Sequence, residues 1–391
     1  MSHFKTIEVA DYYEQSRFER IKQFAANKPT PFVVIDTAIV AEQYDEMTKY
    51  FPFAHIYYAV KANPGAPILQ LLQQKQANFD IASIYELDAV LAHGVSCDRV
   101  SFGNTIKKRK DVEAFYERGV RLFASDSEAD IRMLAEAAPG SRVYVRILTA
   151  DNDTADWPLS RKFGCQAEMA YDLLVLAQSL GLTPYGISFH VGSQQRDIGA
   201  WQIAINQVAN LFARLKADAG IELAMINMGG GFPANYLDKT QALARYADEI
   251  ISYLHQAFPN KLPEIILEPG RSLISNAGVL VSEVVLISHK SNAANERWVF
   301  ADVGKFSGLI ETLDEAIKFP IVTDKQGPLG ACVIAGPTCD SADIMYEHYR
   351  YGLPQDLAIG DRMYWLTTGA YTTTYSAVCF NGFPPLKDYY L

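Results

Sequence analysis

The residues best equipped for chemistry stand where apolar runs stop. Tyr57-Tyr58-Ala59-Val60-Lys61-Ala62-Asn63-Pro64 carries a lysine at the end of a β-prone stretch, just before an Asn-Pro break. Such an amine has two readings: a stem that packs while its ammonium reaches water, or a nucleophile that condenses with a carbonyl. Asp80 and Ser83, Asn104, Ser125, Arg146, His190 and Ser193 close other apolar runs in the same way. Gly229-Gly230-Gly231-Phe232-Pro233 follows a further run; its backbone N–H groups suit an anion, and a plain flexible turn is the alternative. The stretch Glu264–Arg271 ends on Glu268-Pro269-Gly270-Arg271. A carboxylate there would repel phosphate but would keep an aromatic ring nitrogen protonated; otherwise Glu268 pairs with Arg271. His190 fits a general base, a ring stacked on a planar cofactor, or a satisfied core histidine. No second histidine or cysteine stands near it at ligand spacing, which argues against a metal.

Later in the chain Gly336-Pro337-Thr338-Cys339-Asp340 sets a thiol beside a carboxylate in a rigid turn, although a buried cysteine is ordinarily an inert small hydrophobe. Glu311 and Asp314 lie three apart on a stretch, Ile310–Lys318, whose periodicity predicts a helix on which they share a face. Gly369-Ala370-Tyr371 and Phe380-Asn381-Gly382-Phe383 place aromatic residues at strand ends, for which packing alone is sufficient reason.

Positioning these groups takes a repeating scaffold. Strand-like runs are predicted at His55–Lys61, Phe79–Ser83, Arg99–Gly103, Arg121–Ser125, Arg142–Leu148, Tyr185–Ser193, Ala224–Gly231 and Glu264–Arg271, with amphipathic helical segments between them. This α/β alternation over roughly 220 residues predicts a (β/α)8 TIM barrel, in which every strand delivers its last residues to one rim. An open doubly wound sheet is the runner-up, but GxGxxG is missing after the first strand. After Arg271 the pattern shifts to β-branched and alternating runs, which predicts a mostly antiparallel β domain. Boundaries of 37–277 for the barrel, with 1–36 and 278–391 for the β domain, follow from that shift.

Composition narrows the functional classes. A chain of 391 residues with a formal net charge of -10 has the apolar content for a large core and lacks the basic footprint that nucleic acid requires. Five scattered cysteines with no CxxC pair suit reduced thiols in a cytoplasmic protein. No stretch has the length and apolarity of a membrane span, and the first twenty residues have no signal-like core.

Taken together the motifs resemble one family, the fold type III pyridoxal-phosphate decarboxylases, and within it the ornithine decarboxylases. The matching stretches are Tyr58–Asn63, Phe79–Ser83, Phe189–Ser193, Gly229–Pro233, Glu268–Arg271, Gly336–Asp340, Gly369–Tyr371 and Phe380–Phe383, in the family's order and across nearly the whole chain. The resemblance implies an alanine-racemase-like barrel plus an antiparallel β-barrel or sandwich domain, in a homodimer with active sites shared across the subunit interface. It implies pyridoxal 5'-phosphate held covalently by Lys61, its ring nitrogen paired with Glu268 and its ring stacked on His190. Asp80 and Arg146 would set neighbouring charges, Ser193, Gly231, Gly270, Arg271 and Tyr371 would cradle the phosphate, and Gly229 and Gly230 would also bind the cofactor. Cys339 of the partner subunit would protonate the substrate's α carbon. Asp314, Asp340, Tyr371 and Phe380 would bind a small diamino acid.

The implied reaction is decarboxylation of L-ornithine to putrescine in polyamine biosynthesis. Lysine, or both substrates, is the alternative, because one methylene is discriminated by only about 1–3 kcal/mol. Diaminopimelate decarboxylases carry a Cys-Glu-Ser turn where this chain has Cys339-Asp340, and alanine racemases set an arginine where this chain has Glu268. A catalytically inactive regulatory relative would have lost parts of the apparatus, whereas Lys61, Glu268 and Cys339 are all present. The segment Asp153–Lys162 reads as a loop able to close over the site.

Overall fold

Eight short runs of buried residues meet edge to edge in the computed structural model, which describes residues 4, 6–149, 154–157, 162–292 and 296–391. The strands are Ala54–Ala59, Asn78–Ile81, Val100–Phe102, Leu122–Ser125, Arg142–Arg146, Thr183–Ser188, Met225–Asn227 and Glu264–Leu267. All are parallel, and the last returns to pair Ile265 with Ala54, closing the predicted barrel. A parallel strand has side chains packed on both faces, so runs such as Leu-Phe-Ala-Ser at 122–125 are buried throughout rather than alternating. Tyr57, Leu122, Ala124, Tyr144, Met225 and Ile266 pack together inside. The Tyr144 hydroxyl lies 2.9 Å from Ser101 Oγ, so the barrel is a packed core rather than a pore. Helices follow the strands with apolar faces inward; Leu243–Ala257, for example, buries Tyr246, Ala247, Ile250 and Leu254 at three- and four-residue spacing.

These elements belong to a unit comprising Ala41–Pro233 and Gln241–Gly270. The other unit comprises Met1–Val40, Ala234–Thr240 and Arg271–Leu391 and is built on a sheet. Its long strand Gly278–His289 pairs antiparallel with Phe32–Ile35 and Arg362–Leu366 along its first half, and with Arg297–Ala301 along its second. An irregularity between Val284 and Leu286 marks the change of partners. Ile321–Thr323 and Ile344–Pro354 add antiparallel pairs, whereas Arg297–Ala301 with Leu329–Ala335, and Phe32–Ile35 with Lys387–Tyr390, run parallel. The sheet is therefore mostly antiparallel, and the early strand Phe32–Ile35 joins it. Among the described residues no helix is long and apolar enough to cross a membrane. None of the five cysteines is bonded to another.

Two local expectations need correction. Lys61 is not the last residue of its strand: pairing ends at Ala59, and Lys61 sits in a single 3-10 turn, Val60–Ala62. The stretch Ile310–Lys318 is not a regular helix either. Its 3-10 segment Ile310–Glu315 breaks at Leu313 (ψ 133°) and Asp314 (φ 51°), so Glu311 and Asp314 do not share a helical face. Glu311 is buried, and Asp314 is exposed.

Candidate active site

Because the barrel strands all run one way, their carboxyl ends form a single rim. Lys61, Asp80, Arg146, His190, the three glycines and Glu268 lie at or just beyond those ends. The turn bearing Lys61 is held from below: Val60 and Ala62 are buried on either side of it, and the Tyr58 hydroxyl donates to the Asn63 carbonyl at 2.8 Å. The Asn63 side chain in turn accepts from the Gly65 N–H at 3.0 Å, so the Asn-Pro break anchors the turn and leaves the lysine exposed. At the end of the next strand Ser83 caps helix Ile84–Leu91. Its hydroxyl accepts from the Glu86 N–H at 3.3 Å while Glu86 accepts from the Ala82 N–H at 2.7 Å.

The charges on the rim are set against one another. Burial, and then the Glu268 carboxylate, push the Asp80 carboxyl well above the usual carboxylate range, with the Lys61 ammonium opposing. Burial also raises Glu268, opposed by a hydrogen bond from the Asn227 amide and by the charges of Lys61 and Arg146. That amide donates to Glu268 Oε1, while Asn227 Oδ1 accepts from the Gly229 N–H at 2.9 Å. One asparagine thus fixes the plane of the carboxylate and the start of the glycine run together. Burial, followed by the charges of Arg146 and Lys61, holds His190 well below its ordinary value. The Gly192 N–H donates to His190 Nδ1 at 3.0 Å, so the ring is neutral with its proton on Nε2.

Asp80 Oδ1 is buried and has no hydrogen-bond partner among the described residues. Gly103 makes room for it, since a Cβ there would stand 1.9 Å away. The glycine run is equally tight: a Cβ at Gly230 would come within 2.7 Å of the Glu268 carbonyl and 3.3 Å of His190 Nε2. The floor between histidine and glutamate is therefore bare backbone. Ser193 begins the short strand Ser193–Gln195, which pairs with Ala155–Trp157. Residues 153 and 158–161 of the expected closing loop lie outside the described residues.

In the other unit the remaining candidates form two constellations. Arg271 is buried with its guanidinium against both oxygens of Glu311, with Nη1–Oε2 at 2.7 Å, and it also donates to the Tyr236 hydroxyl at 2.8 Å. Its guanidinium carbon lies 4.9 Å from the Tyr371 ring centroid, and Tyr371 itself has a left-handed φ of 55°. Cys339 and Asp340 are exposed on their turn; the Cys339 N–H donates to Asn381 Oδ1 at 3.0 Å. Phe380 stacks obliquely on Phe306 at 5.1 Å.

Sequence reasoning missed Asn227, Tyr236 and the bond between Arg271 and Glu311. Asn227 did leave a trace, as a lone amide in an otherwise apolar run, two residues before the first glycine.

Residues 37–275 match the family model described as "Pyridoxal-dependent decarboxylase, pyridoxal binding domain". The lysine/ornithine decarboxylase of Selenomonas ruminantium is 32% identical over 366 residues, 93% of this chain and 90% of that one. The ornithine decarboxylase of Schizosaccharomyces pombe is 32% identical over 372 residues, covering 92% and 83%. Among solved structures, the arginine decarboxylase of Paramecium bursaria Chlorella virus has a TM-score of 0.87 at 28% identity, covering 97% of this chain and 100% of that one.

Proposed function

This chain belongs to the pyridoxal-dependent decarboxylases, and from that premise we propose that it decarboxylates a basic amino acid, L-ornithine first, to putrescine and carbon dioxide. The cofactor of the family, pyridoxal 5'-phosphate, supplies an electron sink for the bond pair that departing carbon dioxide leaves behind. The residues of the rim fit it. Lys61 offers an amine, Asp80 Oδ1 is a buried carboxylate oxygen still wanting a donor, and the glycine floor leaves no side chain in the way.

In this reading Lys61 would hold the cofactor covalently, and Glu268, its plane fixed by Asn227, would keep the ring nitrogen protonated. His190, being neutral, would lie against the ring face without adding charge. Asp80 and Arg146 would balance the charges around it. Ser193, Gly229, Gly230, Gly231, Gly270, Arg271 and Tyr371 would hold the phosphate. Substrate would lie with Asp314 and Phe380 near its side chain. Asp340 of the partner subunit would bind the distal ammonium by a charge-assisted hydrogen bond, and Cys339 of the partner subunit would deliver a proton to the α carbon. This arrangement requires a homodimer.

The observation that carries the reading is the convergence of Lys61, two charge-strained carboxylates and a neutral histidine on one rim, over a backbone floor. A second reading, activity on lysine as well as ornithine, is favoured by the Selenomonas relative, whose name covers both. Carbon dioxide release from ornithine, lysine, arginine and diaminopimelate, compared at equal concentration, tests both readings. A preference for ornithine of about 10-fold or more supports the first, and near-equal rates support the second. Release from none of the four would overturn the assignment.

A further inference from the structure

The turn that carries Cys339 is exposed, so packing alone does not fix where the thiol points. What holds the turn is a carboxylate four residues on. Asp343 is only 2% exposed, and both of its oxygens are engaged. Oδ1 accepts the Lys305 N–H at 2.8 Å, while Oδ2 accepts the Thr338 N–H at 3.1 Å and the Thr338 hydroxyl at 2.7 Å. Backbone bonds from Gly336 N to Asp343 O (2.8 Å) and from Asp343 N to Asp340 O (3.1 Å) close the turn around it. Two glycines admit the carboxylate: a Cβ at Gly304 would stand 2.1 Å from Oδ1, and one at Gly336 would stand 2.4 Å from either oxygen. The glycine that opens Gly336-Pro337-Thr338-Cys339-Asp340 is thus there for Asp343. Asn381, at a left-handed φ of 51°, takes the one N–H that belongs to Cys339 itself.

We propose that Asp343 and Asn381 are positioning residues for the Cys339 thiol, together fixing the turn from which the proton is delivered. The proposal rests on reading Cys339 as the proton donor. A donor must stand within hydrogen-bond reach of the atom it serves, and misplacement by about 1 Å can cost about 10²-fold. Asparagine at 343 cannot substitute for the carboxylate. Its single carbonyl oxygen can serve Lys305 or Thr338, but not both, and its NH2 would face a donor.

The consequence is chemical as well as kinetic. In the productive step the proton moves from Cys339 Sγ to the α carbon that has lost carbon dioxide, a diamine leaves, and solvent restores the thiol. Were the thiol misplaced, so that the α carbon went unprotonated, hydrolysis by water would release an aminoaldehyde in place of the diamine, and pyridoxal phosphate would supply the acceptor for the nitrogen and the two electrons that the substrate carbon gives up. The ratio of diamine to aminoaldehyde therefore reports where the thiol stands.

The test uses the full-length, cofactor-loaded protein carrying Asp343→Asn, with two readouts. One is the aminoaldehyde share of product, expected to rise about 10-fold. The other, independent of turnover, is the rate of Cys339 alkylation by iodoacetamide relative to Cys97 in the same molecule, expected to rise about 3-fold as the turn loosens. Either readout staying at the unaltered protein's value overturns the proposal. If Asp343→Asn does not fold, Thr338→Val and Asn381→Ala each remove a bond to the turn and are judged by the same two readouts. Cys339→Ala separates this inference from the reading beneath it. If that variant still releases only diamine, the thiol is not the donor, and both fall. If it releases aminoaldehyde while Asp343→Asn does not, the positioning role alone fails.

Discussion

Asp80 is a buried carboxyl whose proton affinity is raised by burial and by Glu268, and that fixes the sign of its effect on stability. Its folded-state pKa lies well above its unfolded one, so in the fold it holds its proton to higher pH. Between those values the native state binds the extra proton, so stability falls as pH rises through the window. Asp80→Asn should therefore stabilise the cofactor-free protein, by about 1–3 kcal/mol and more at pH 8 than at pH 5, while weakening cofactor binding. Thermal melting at the two pH values checks this, and equal shifts would show that charge is not the cause. Lys61→Ala should abolish the visible absorbance of the bound cofactor; an unchanged spectrum would remove the lysine from its role. At this scale the placement of the lysine, the histidine and the acidic residues on one rim was legible, because few structural duties explain them at a strand's end. Asn227 was not, because a buried amide could serve any neighbouring carbonyl, and only the fold shows that it serves Glu268.

Elements were readable where their period was long and their exits were marked. The Asn63-Pro64 break is a local signal, and the structure honours it; the cap that Ser83 and Glu86 form at the next helix is one the fold shows. The segment Ile310–Glu315 misled because its spacing looks helical, whereas its conformation is set from outside by the buried pair of Glu311 with Arg271. Removing one member of a buried pair strands the other, so Glu311→Ala should cost about 3–5 kcal/mol in urea unfolding. Replacing both members with apolar residues should recover much of that loss; a double variant no better than the single one would show that the pair is not the cause. Gly103→Ala offers a second probe of an element boundary. Its Cβ would stand 1.9 Å from Asp80 Oδ1, so it should displace that carboxylate and weaken cofactor affinity about 10-fold or more, as measured by titration of the visible band.

For the molecule as a whole, the barrel was legible because each strand is a contiguous apolar run with its helix close behind it in sequence. The β unit was less so, because its strands find partners far away in the chain and neither pairing nor direction is written locally. The proposed homodimer with shared sites predicts complementation: inactive Lys61→Ala and Cys339→Ala proteins, mixed under conditions of subunit exchange, should recover up to about a quarter of normal activity, since half of the dimers would be hybrids with one intact site. No recovery with exchange demonstrated would rule out sharing. The pairing of Phe32 with Lys387 also has a consequence in time. At roughly 5–20 residues per second, a ribosome that has made the early strand needs roughly 20–70 s to make the strand that lies beside it. Through that interval Phe32–Ile35, four apolar residues with an open edge, must be kept from the wrong neighbours. The helix Gln15–Ala25 is already made by then, and Phe18, Ile21 and Ala25 pack in the same cluster as Phe32 and Val34. It is placed to shelter the waiting strand on one face until the late one arrives.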